Sequence, residues 1–270
     1  MGYNISCNVT KINIKMLQST RKVKIVDYLK KENECSINEL CGLFDVSFST
    51  IHRDLNELER EGAIRKIYGG VKLLTEDRLE PQSSVRLKIN MKQKKRIGQK
   101  ALQYVKSGDC IFIDNSSTCY YFAESLSGSD IKGVVVITDS NIVPGLFLSK
   151  QDITVISTGG TLLRELDSFY GPVALDAISR FNGDKFFFSA GAISLEGQLS
   201  DFPANDSIIK KEQFRRCRSR ICLVDSSKFN RVRPNRLFDL SQVDTVITDS
   251  SLRQENRKEF ERAGIRLVIT

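Results

Sequence analysis

The chain has 270 residues, with 41 Lys and Arg against 33 Asp and Glu and a formal charge of +8. That length can bury a proper core and divide into two ordinary domains, and 40% hydrophobic with 27% charged residues excludes a disulfide-stapled peptide, wholesale disorder and a low-complexity scaffold. Seven Cys at spacings that match neither a zinc knuckle nor a CxxC pair, beside a single His, argue against a metal site and suit the reduced thiols of a cytoplasmic protein. No run approaches the ~18 apolar residues of a membrane helix, so no membrane contact is expected.

Residues 1–18 read as an N-terminal extension. Its opening, Met1 to Ser6, fits the loose Gly-x-x-x-Ser acylation pattern, but nothing else in the sequence supports an anchor. Residues 19–74 have helical punctuation. Ser19 or Thr20 can cap a first helix with Val23, Ile25, Val26 and Leu29 on or near one side, ending around Lys31. Ser36 and Glu39 stand three apart, as a capping box requires, before a short helix carrying Leu40, Leu43 and Phe44. After a turn at Asp45-Val46, Ser47 can cap a third helix in which Ile51, Leu55 and Leu58 recur at steps of four and three, with Gly62 at its end. Ala63 to Leu74 then reads as two short strands turning at Gly69-Gly70. Three helices followed by a small hairpin make a winged helix-turn-helix.

Residues 75–88 lack a clear period and read as a linker. From Pro81 to Ser107 there is no acid, while Arg86, Lys88, Lys92, Lys94, Lys95, Arg96, Lys100 and Lys106 accumulate. Much of this run reads as a solvated helix face, with contact to DNA backbone or an acidic ligand as the alternative. Residues 89–270 form the larger domain. Seven short apolar runs, 110–113, 134–137, 153–156, 185–188, 221–224, 245–248 and 266–269, alternate for the most part with helix-length segments. Continuous hydrophobicity suits strands covered on both faces, so a parallel α/β sandwich follows, with ligands at the carboxyl ends of its strands.

The third helix offers Ser49, Thr50, His52, Arg53 and Asn56 opposite its buried stripe, a set of donors and acceptors suited to a major groove. Ser47 lies at its start, and Arg65, Lys66 and Lys72 on the hairpin suit phosphate or minor-groove contact. A polar-faced interaction module is the bland alternative; the helix-turn-helix spacing and the basic wing together favour DNA. In the larger domain Asp114-Asn-Ser-Ser-Thr118 lies between a strand and a helix, where free amides and the helix dipole cradle an anion. Ordinary turns use the same residues, but the pattern recurs. Thr138-Asp-Ser140 and Ser157-Thr-Gly-Gly160 end the next two strands, and Asp225-Ser-Ser-Lys228 ends a later one. A surface ion pair is the plain reading of Asp225 with Lys228.

The runs Lys22 to Leu29, Ile37 to Leu40, Phe44 to Ser47, Thr50-Ile-His-Arg-Asp-Leu55 and Gly62 to Gly70 resemble the DNA-binding domain of DeoR-type bacterial repressors, the DeoR/GlpR family. Arg86 to Asn90, Lys94 to Gly98, Gly191 and Asp225 to Phe229 extend the likeness to the family's effector domain, which is similar in fold to ribose-5-phosphate isomerase. The resemblance implies an α/β chain in which a winged helix-turn-helix precedes a ribose-5-phosphate-isomerase-like parallel α/β sensor domain. It also implies that Asp114, Ser116, Ser117 and Thr118 hold the phosphate of a sugar phosphate, with Ser140, Gly159, Gly160, Asp225 and Lys228 around the rest of the pocket.

Three departures from the family pattern carry expectations. His52 replaces the first Arg of Thr-Ile-Arg-Arg-Asp-Leu, which removes a bidentate fork; operator affinity should rise as pH falls through the range where free imidazole titrates, ~6.5. Ser116 stands where Asp-x-Gly-x-Thr has Gly, giving up easy access to positive φ. Asp139 replaces the Asn of Thr-Asn, and a carboxylate facing the pocket would oppose a phosphate by about 1 to 4 kcal/mol at 4 Å. Either Asp139 points away, or the ligand is less anionic, or Lys228 offsets the charge.

The reading is a DNA-binding regulator, in the simplest case a repressor, of a carbohydrate operon. It needs no cofactor or catalytic residue, binds a double-stranded operator and a sugar-phosphate effector, and works as a homodimer or homotetramer because two-fold operators demand at least a dimer. Two alternatives stay open: a sugar-phosphate isomerase fused to a DNA-binding domain, using Asp114, Asp139 or Asp225 as base, and a constitutive DNA-binding protein with a degenerate pocket.

Overall fold

The computed structural model describes residues 17–32, 34–60, 63–73, 80–194, 196–202 and 207–270. The chain forms two compact units, Met1–Thr75 and Glu76–Thr270. The extension 1–16 and Gly62, read above as a helix stop, lie outside the described residues.

The first unit runs α1 (Gln18–Glu32), β1 (Glu34–Ser36), α2 (Ile37–Phe44), α3 (Phe48–Arg60), β2 (Ile64–Ile67) and β3 (Gly70–Leu73). Ile25 and Leu29 of α1, Leu40 of α2, Ile51 and Leu55 of α3 and Ile64 and Val71 of the wing are fully buried and form its core. Arg21 reaches from α1 into this core and forks onto Asp54 of α3, Nε to Oδ2 at 2.5 Å and a terminal guanidinium nitrogen to Oδ1 at 3.2 Å. Ser36 caps α2 by accepting from the Glu39 amide at 3.1 Å. The reciprocal half of the expected box is replaced, since the Glu39 carboxylate accepts from the Tyr28 hydroxyl at 2.5 Å.

Several expectations need correction here. The first helix begins at Gln18, ahead of the expected Ser19 or Thr20 cap. Val23, expected on or near the apolar side of the first helix, is 47% exposed, and Leu43 of the second is 53% exposed, because both stand off the axis defined by the fully buried residues of their helices. The hairpin turns at Tyr68-Gly69, with Gly69 at φ +74, while Gly70 already pairs in β3. Strand β1 was not anticipated; it pairs antiparallel with β3, and a Cβ on Gly70 would come within 2.6 Å of the Cys35 carbonyl oxygen. Glycine at 70 is what lets the third strand of the wing sheet approach.

The second unit contains α4 (Ser83–Lys88), α5 (Met91–Ala101), β4 (Cys110–Ile113), α6 (Ser117–Ser127), β5 (Val134–Thr138), β6 (Ile153–Ser157), β7 (Thr161–Leu163), β8 (Ser168–Tyr170), α7 (Pro172–Ser179) and β9 (Gly183–Phe188). It continues with β10 (Ala192–Ile193), β11 (Gln198–Asp201), α8 (Ser207–Arg215), β12 (Cys217–Leu223), β13 (Asn235–Asp239), β14 (Thr245–Thr248), α9 (Gln254–Ala263) and β15 (Arg266–Ile269). All seven apolar runs are strands of one parallel sheet in the order β15-β14-β12-β9-β4-β5-β6. Residues alternate between its faces. Ile111, Ile113, Phe187, Ile221, Leu223 and Ile247 pack with α5 and α6, whereas Phe112, Phe186, Phe188, Cys222 and Val246 pack with α7, α8 and α9. Five further strands were missed: the hairpin β7-β8 and the antiparallel sheet β10-β11-β13. They are two to five residues long; β10 is only Ala192-Ile193, and polar residues break the apolar pattern of the other four. Helix α4 occupies part of the segment read as a structureless linker.

The chain order of the parallel strands reverses between β4 and β9, so the connections leaving these neighbours run to opposite faces and open a crevice at their carboxyl ends. Asp114-Asn-Ser-Ser117 leaves β4 there, and Ser189-Ala-Gly191 leaves β9.

Candidate functional sites

Helix α3 turns Ser49, Arg53 and Asn56 to solvent, with Thr50 and His52 half-buried beside them. Its start is a knot of hydroxyls: Ser47 Oγ accepts from the Thr50 amide at 3.4 Å and lies 3.0 Å from Ser49 Oγ and 2.9 Å from Thr50 Oγ1. Phe48, exposed at the helix start, sits 4.7 Å ring to ring from His52 and limits the imidazole's freedom. Arg65 is exposed on β2, but Lys66 is not aimed outward as a free cation. Its ammonium donates to Asn56 Oδ1 and lies 3.6 Å from Glu59, and its amide donates to Glu59 Oε1 at 3.0 Å. Lys66 therefore ties the wing to α3 and engages Asn56. Tyr68, which sequence reasoning passed over, is fully exposed at the hairpin tip.

The crevice of the larger unit holds a solvent-open cleft, about 600 Å³ when the open solvent over it is included. Ser116, Ser117, Thr118, Asp225 and Lys228 line it, as expected residues, together with Arg86, Lys94, Ser189, Asp201 and Lys210. Ser116 is the N-cap of α6 and accepts from the Cys119 amide at 3.2 Å; its φ of −72° and ψ of 150° are ordinary extended backbone, so no glycine is required. Its carbonyl takes the Tyr120 amide at 2.9 Å, which leaves the Ser117 and Thr118 amides at the helix start for an anion. Lys94, from α5, is 4% exposed and donates to Ser117 Oγ at 2.8 Å and to the Arg86 carbonyl at 2.6 Å. This is a correction to the solvated reading of the basic run: at least Lys94 points inward.

Asp114 does not line the cleft. It is fully buried behind the loop, accepting from the Ser116 amide at 2.9 Å and the Ser189 amide at 2.9 Å and pairing with Lys210 at 3.4 Å. It thus fastens the β4 loop to the end of β9. Lys210 also donates to Asp201 at 2.8 Å and to the Ser189 carbonyl at 3.1 Å. Asp225 would be raised by its burial, but Lys228, Lys94 and hydrogen bonds from Ser227 and Asn90 outweigh that and hold its carboxyl below the ordinary value of 3.8. The Asn90 amide donates to Asp225 Oδ1 at 2.9 Å. Four cations (Arg86, Lys94, Lys210, Lys228) and three acids (Glu80, Asp201, Asp225) stand around the cleft, a balance of +1 that suits an anionic ligand.

The remaining expected pocket residues lie elsewhere. Ser140 is buried and accepts from the Ile142 and Val143 amides, both at 3.3 Å. Gly159 and Gly160, at φ +60° and +109°, shape the turn after β6, and a Cβ on Gly160 would meet the Tyr170 carbonyl oxygen at 2.7 Å. Neither contributes to this cleft's lining. Asp139 is buried, accepting from Ser168 Oγ at 3.2 Å and from the Gln213 amide at 3.2 Å, so of the three alternatives raised by its charge the structure selects the first. Among the described residues no cluster of His, Cys, Asp and Glu could hold a metal ion, and no helix is long and apolar enough to cross a membrane.

Two family models match the chain: the DeoR-like helix-turn-helix domain over residues 21–77 and the DeoR C-terminal sensor domain over residues 89–250. The chain belongs to the DeoR family. It is 32% identical over 253 residues to the uncharacterized HTH-type transcriptional regulator YulB of Bacillus subtilis, covering 94% of this chain and 97% of that one. The HTH-type transcriptional repressor GlcR of the same organism is 30% identical over 255 residues, covering 94% and 97%. The L-fucose operon activator of Escherichia coli is 32% identical over 236 residues, covering 86% and 96%. Among solved structures, ribose 5-phosphate isomerase A from Neisseria gonorrhoeae aligns over 50% of this chain and 52% of its own, at 23% identity and a TM-score of 0.38, a likeness too slight to carry a functional conclusion. In this DeoR-family regulator the helix-turn-helix model covers α3 and the wing, and the sensor model covers both loops of the crevice.

Proposed function

We propose that this DeoR-family protein regulates a carbohydrate operon by gripping a two-fold operator with α3 and the wing, and that a phosphorylated sugar in the crevice at the ends of β4 and β9 sets its operator affinity. The mechanism is population shift: the effector favours one arrangement of a cytoplasmic homodimer or homotetramer, and operator affinity changes by the same coupling energy. The observation that carries the reading is the start of α6, where two amides, the Ser117 hydroxyl and the buried Lys94 ammonium converge on a cationic cleft. Relatives named for the aga and L-fucose operons support a sugar-linked effector, and they include both a repressor and an activator.

The isomerase reading loses support from the same geometry. A base for proton transfer between adjacent carbons works best with a pKa near the operating pH. Asp114 is sealed behind the loop, Asp139 is turned to Ser168 and Gln213, and Asp225 is held below the usual carboxylate range. The degenerate-pocket reading rested on Ser116 and Asp139, and neither obstructs the cleft. Thermal-shift titration with pentose and hexose phosphates tests the proposal. A binder at a hundred times its dissociation constant should add about 2.7 kcal/mol of stability and change the protein's affinity for its own promoter fragment. Ligand binding with unaltered affinity for every promoter fragment offered, or isomerase turnover abolished by Asp225→Asn, would overturn it.

A further inference from the structure

The wall of the cleft nearest the chain's entry into the second unit is closed by an internal anion. Glu80 pairs with Arg86 at 2.6 Å, and both side chains are 14% exposed. Both line the cleft beside Lys94 and the start of α6. Arg86 is held on its other side by the Leu166 carbonyl at 3.3 Å, while its Nε is buried with no hydrogen-bond partner, a donor with unused capacity. The same residue's carbonyl accepts from Lys94, whose ammonium also serves Ser117 in the anion cradle. One lysine therefore joins the cradle to α4, and one carboxylate occupies the guanidinium that a ligand anion entering the cradle would meet next.

Resting on the reading of this cleft as the effector site, we propose that Glu80 is a built-in competitor: its carboxylate stands in for an anionic group of the effector on Arg86, and an incoming phosphate displaces it. Two effects drive the exchange. A phosphate dianion satisfies Arg86 and Lys94 together, whereas the Glu80 carboxylate carries one charge; and the two anions repel one another at the short range the cleft imposes. Displacement matters because Glu80 is only seven residues beyond Leu73, the last residue of β3 in the wing. A ligand that expels Glu80 acts on the stretch of chain that leads to the DNA-binding unit, and by linkage that unit's operator binding biases phosphate affinity equally.

The test uses the full chain, inorganic phosphate as probe, and isothermal calorimetry with hydrogen exchange across residues 80–89. Removing the competitor in Glu80→Gln should tighten phosphate binding by on the order of tenfold, and Arg86→Gln should weaken it. In the wild type, phosphate should accelerate exchange in residues 80–89; in Glu80→Gln exchange there should already be fast without it. Unchanged or weaker phosphate binding in Glu80→Gln, with binding still lost in Lys94→Gln, overturns the competitor and leaves the cleft assignment standing. Absence of phosphate binding to every form, or its survival undiminished in Lys94→Gln, overturns the cleft assignment and the competitor with it.

Discussion

Replacing Asp225 with Asn tests whether the cleft is built around an ionised carboxylate. Asp225 Oδ1 accepts from the Asn90 side chain at 2.9 Å, from the Ser227 amide at 3.1 Å and from the Ser227 hydroxyl. Hydrogen bonds to a charged acceptor contribute about 1.5–3 kcal/mol each against about 1 for a neutral one, so exchanging carboxylate for amide weakens three bonds by roughly 0.5–2 kcal/mol apiece; near the low end of that range, as part-buried donors suggest, the total is about 2 kcal/mol. Half-buried Lys228 can turn to water, which keeps the loss below that of a fully sealed pair. The sign of the pH dependence follows from the lowered carboxyl. The wild type's advantage is complete above the unfolded value of 3.8 and is lost as pH falls through the still lower folded value. Urea unfolding of both proteins from pH 7 to pH 3 should show a constant gap of about 2 kcal/mol down to about pH 4 that narrows below it. A gap absent at pH 7, or widening on acidification, would refute the reasoning.

Arg65→Ala should flatten the log-log dependence of operator affinity on salt by about 0.9 for the phosphate contact it removes, measured by fluorescence anisotropy. Asp54→Ala removes the buried carboxylate onto which the Arg21 guanidinium forks and should cost about 3–5 kcal/mol, so operator binding should be lost while the larger unit's unfolding transition is unmoved. Asp139→Asn should leave phosphate affinity within about twofold, because the carboxylate faces Ser168 and Gln213; a tenfold gain by calorimetry would mean the charge reaches the cleft. Gly98→Ala places a methyl 2.6–2.7 Å from the Tyr121 and Phe122 backbone. It should push α5 from α6, lower the larger unit's melting temperature by several degrees and weaken phosphate binding through Lys94.

Elements with unbroken or strictly periodic hydrophobicity were legible: α3, the wing and all seven strands of the parallel sheet carry their period in the sequence because burial on known faces dictates it. Elements held by partners distant in sequence were not. Strand β1 forms because β3 offers an edge that Gly70 leaves open, and β13 pairs with β11 across more than thirty residues. The cleft divides the same way. Ser116, Ser117, Thr118, Asp225 and Lys228 stand at or just after strand ends, where a local rule finds them. Lys94 and Lys210 project from helices, and only the packing of α5 and α8 against the sheet's two faces brings their ammonium groups to the crevice.

The four polar loops that looked alike in the sequence differ in the molecule because the same device serves structure before it serves ligand. Asp114, Asp225 and Asp249 each follow a strand of the parallel sheet and accept from the amide two residues on, at 2.9, 3.1 and 3.0 Å. Each closes the turn that redirects the chain off the sheet. Asp249 spends its other oxygen on the Ser226 amide at 2.7 Å and so braces the Asp225 loop from the next strand, as Asp114 braces the end of β9. An aspartate at a strand end is therefore a fastening first. The proposed effector cleft opens where strand order reverses between β4 and β9, which parts the connections above that pair and lets cations from both faces enter. Local chemistry nominates every such loop, and the fold selects among them: the loops after β4, β9 and β12 line the cleft, whereas Ser140, Gly159 and Gly160, after β5 and β6, shape turns.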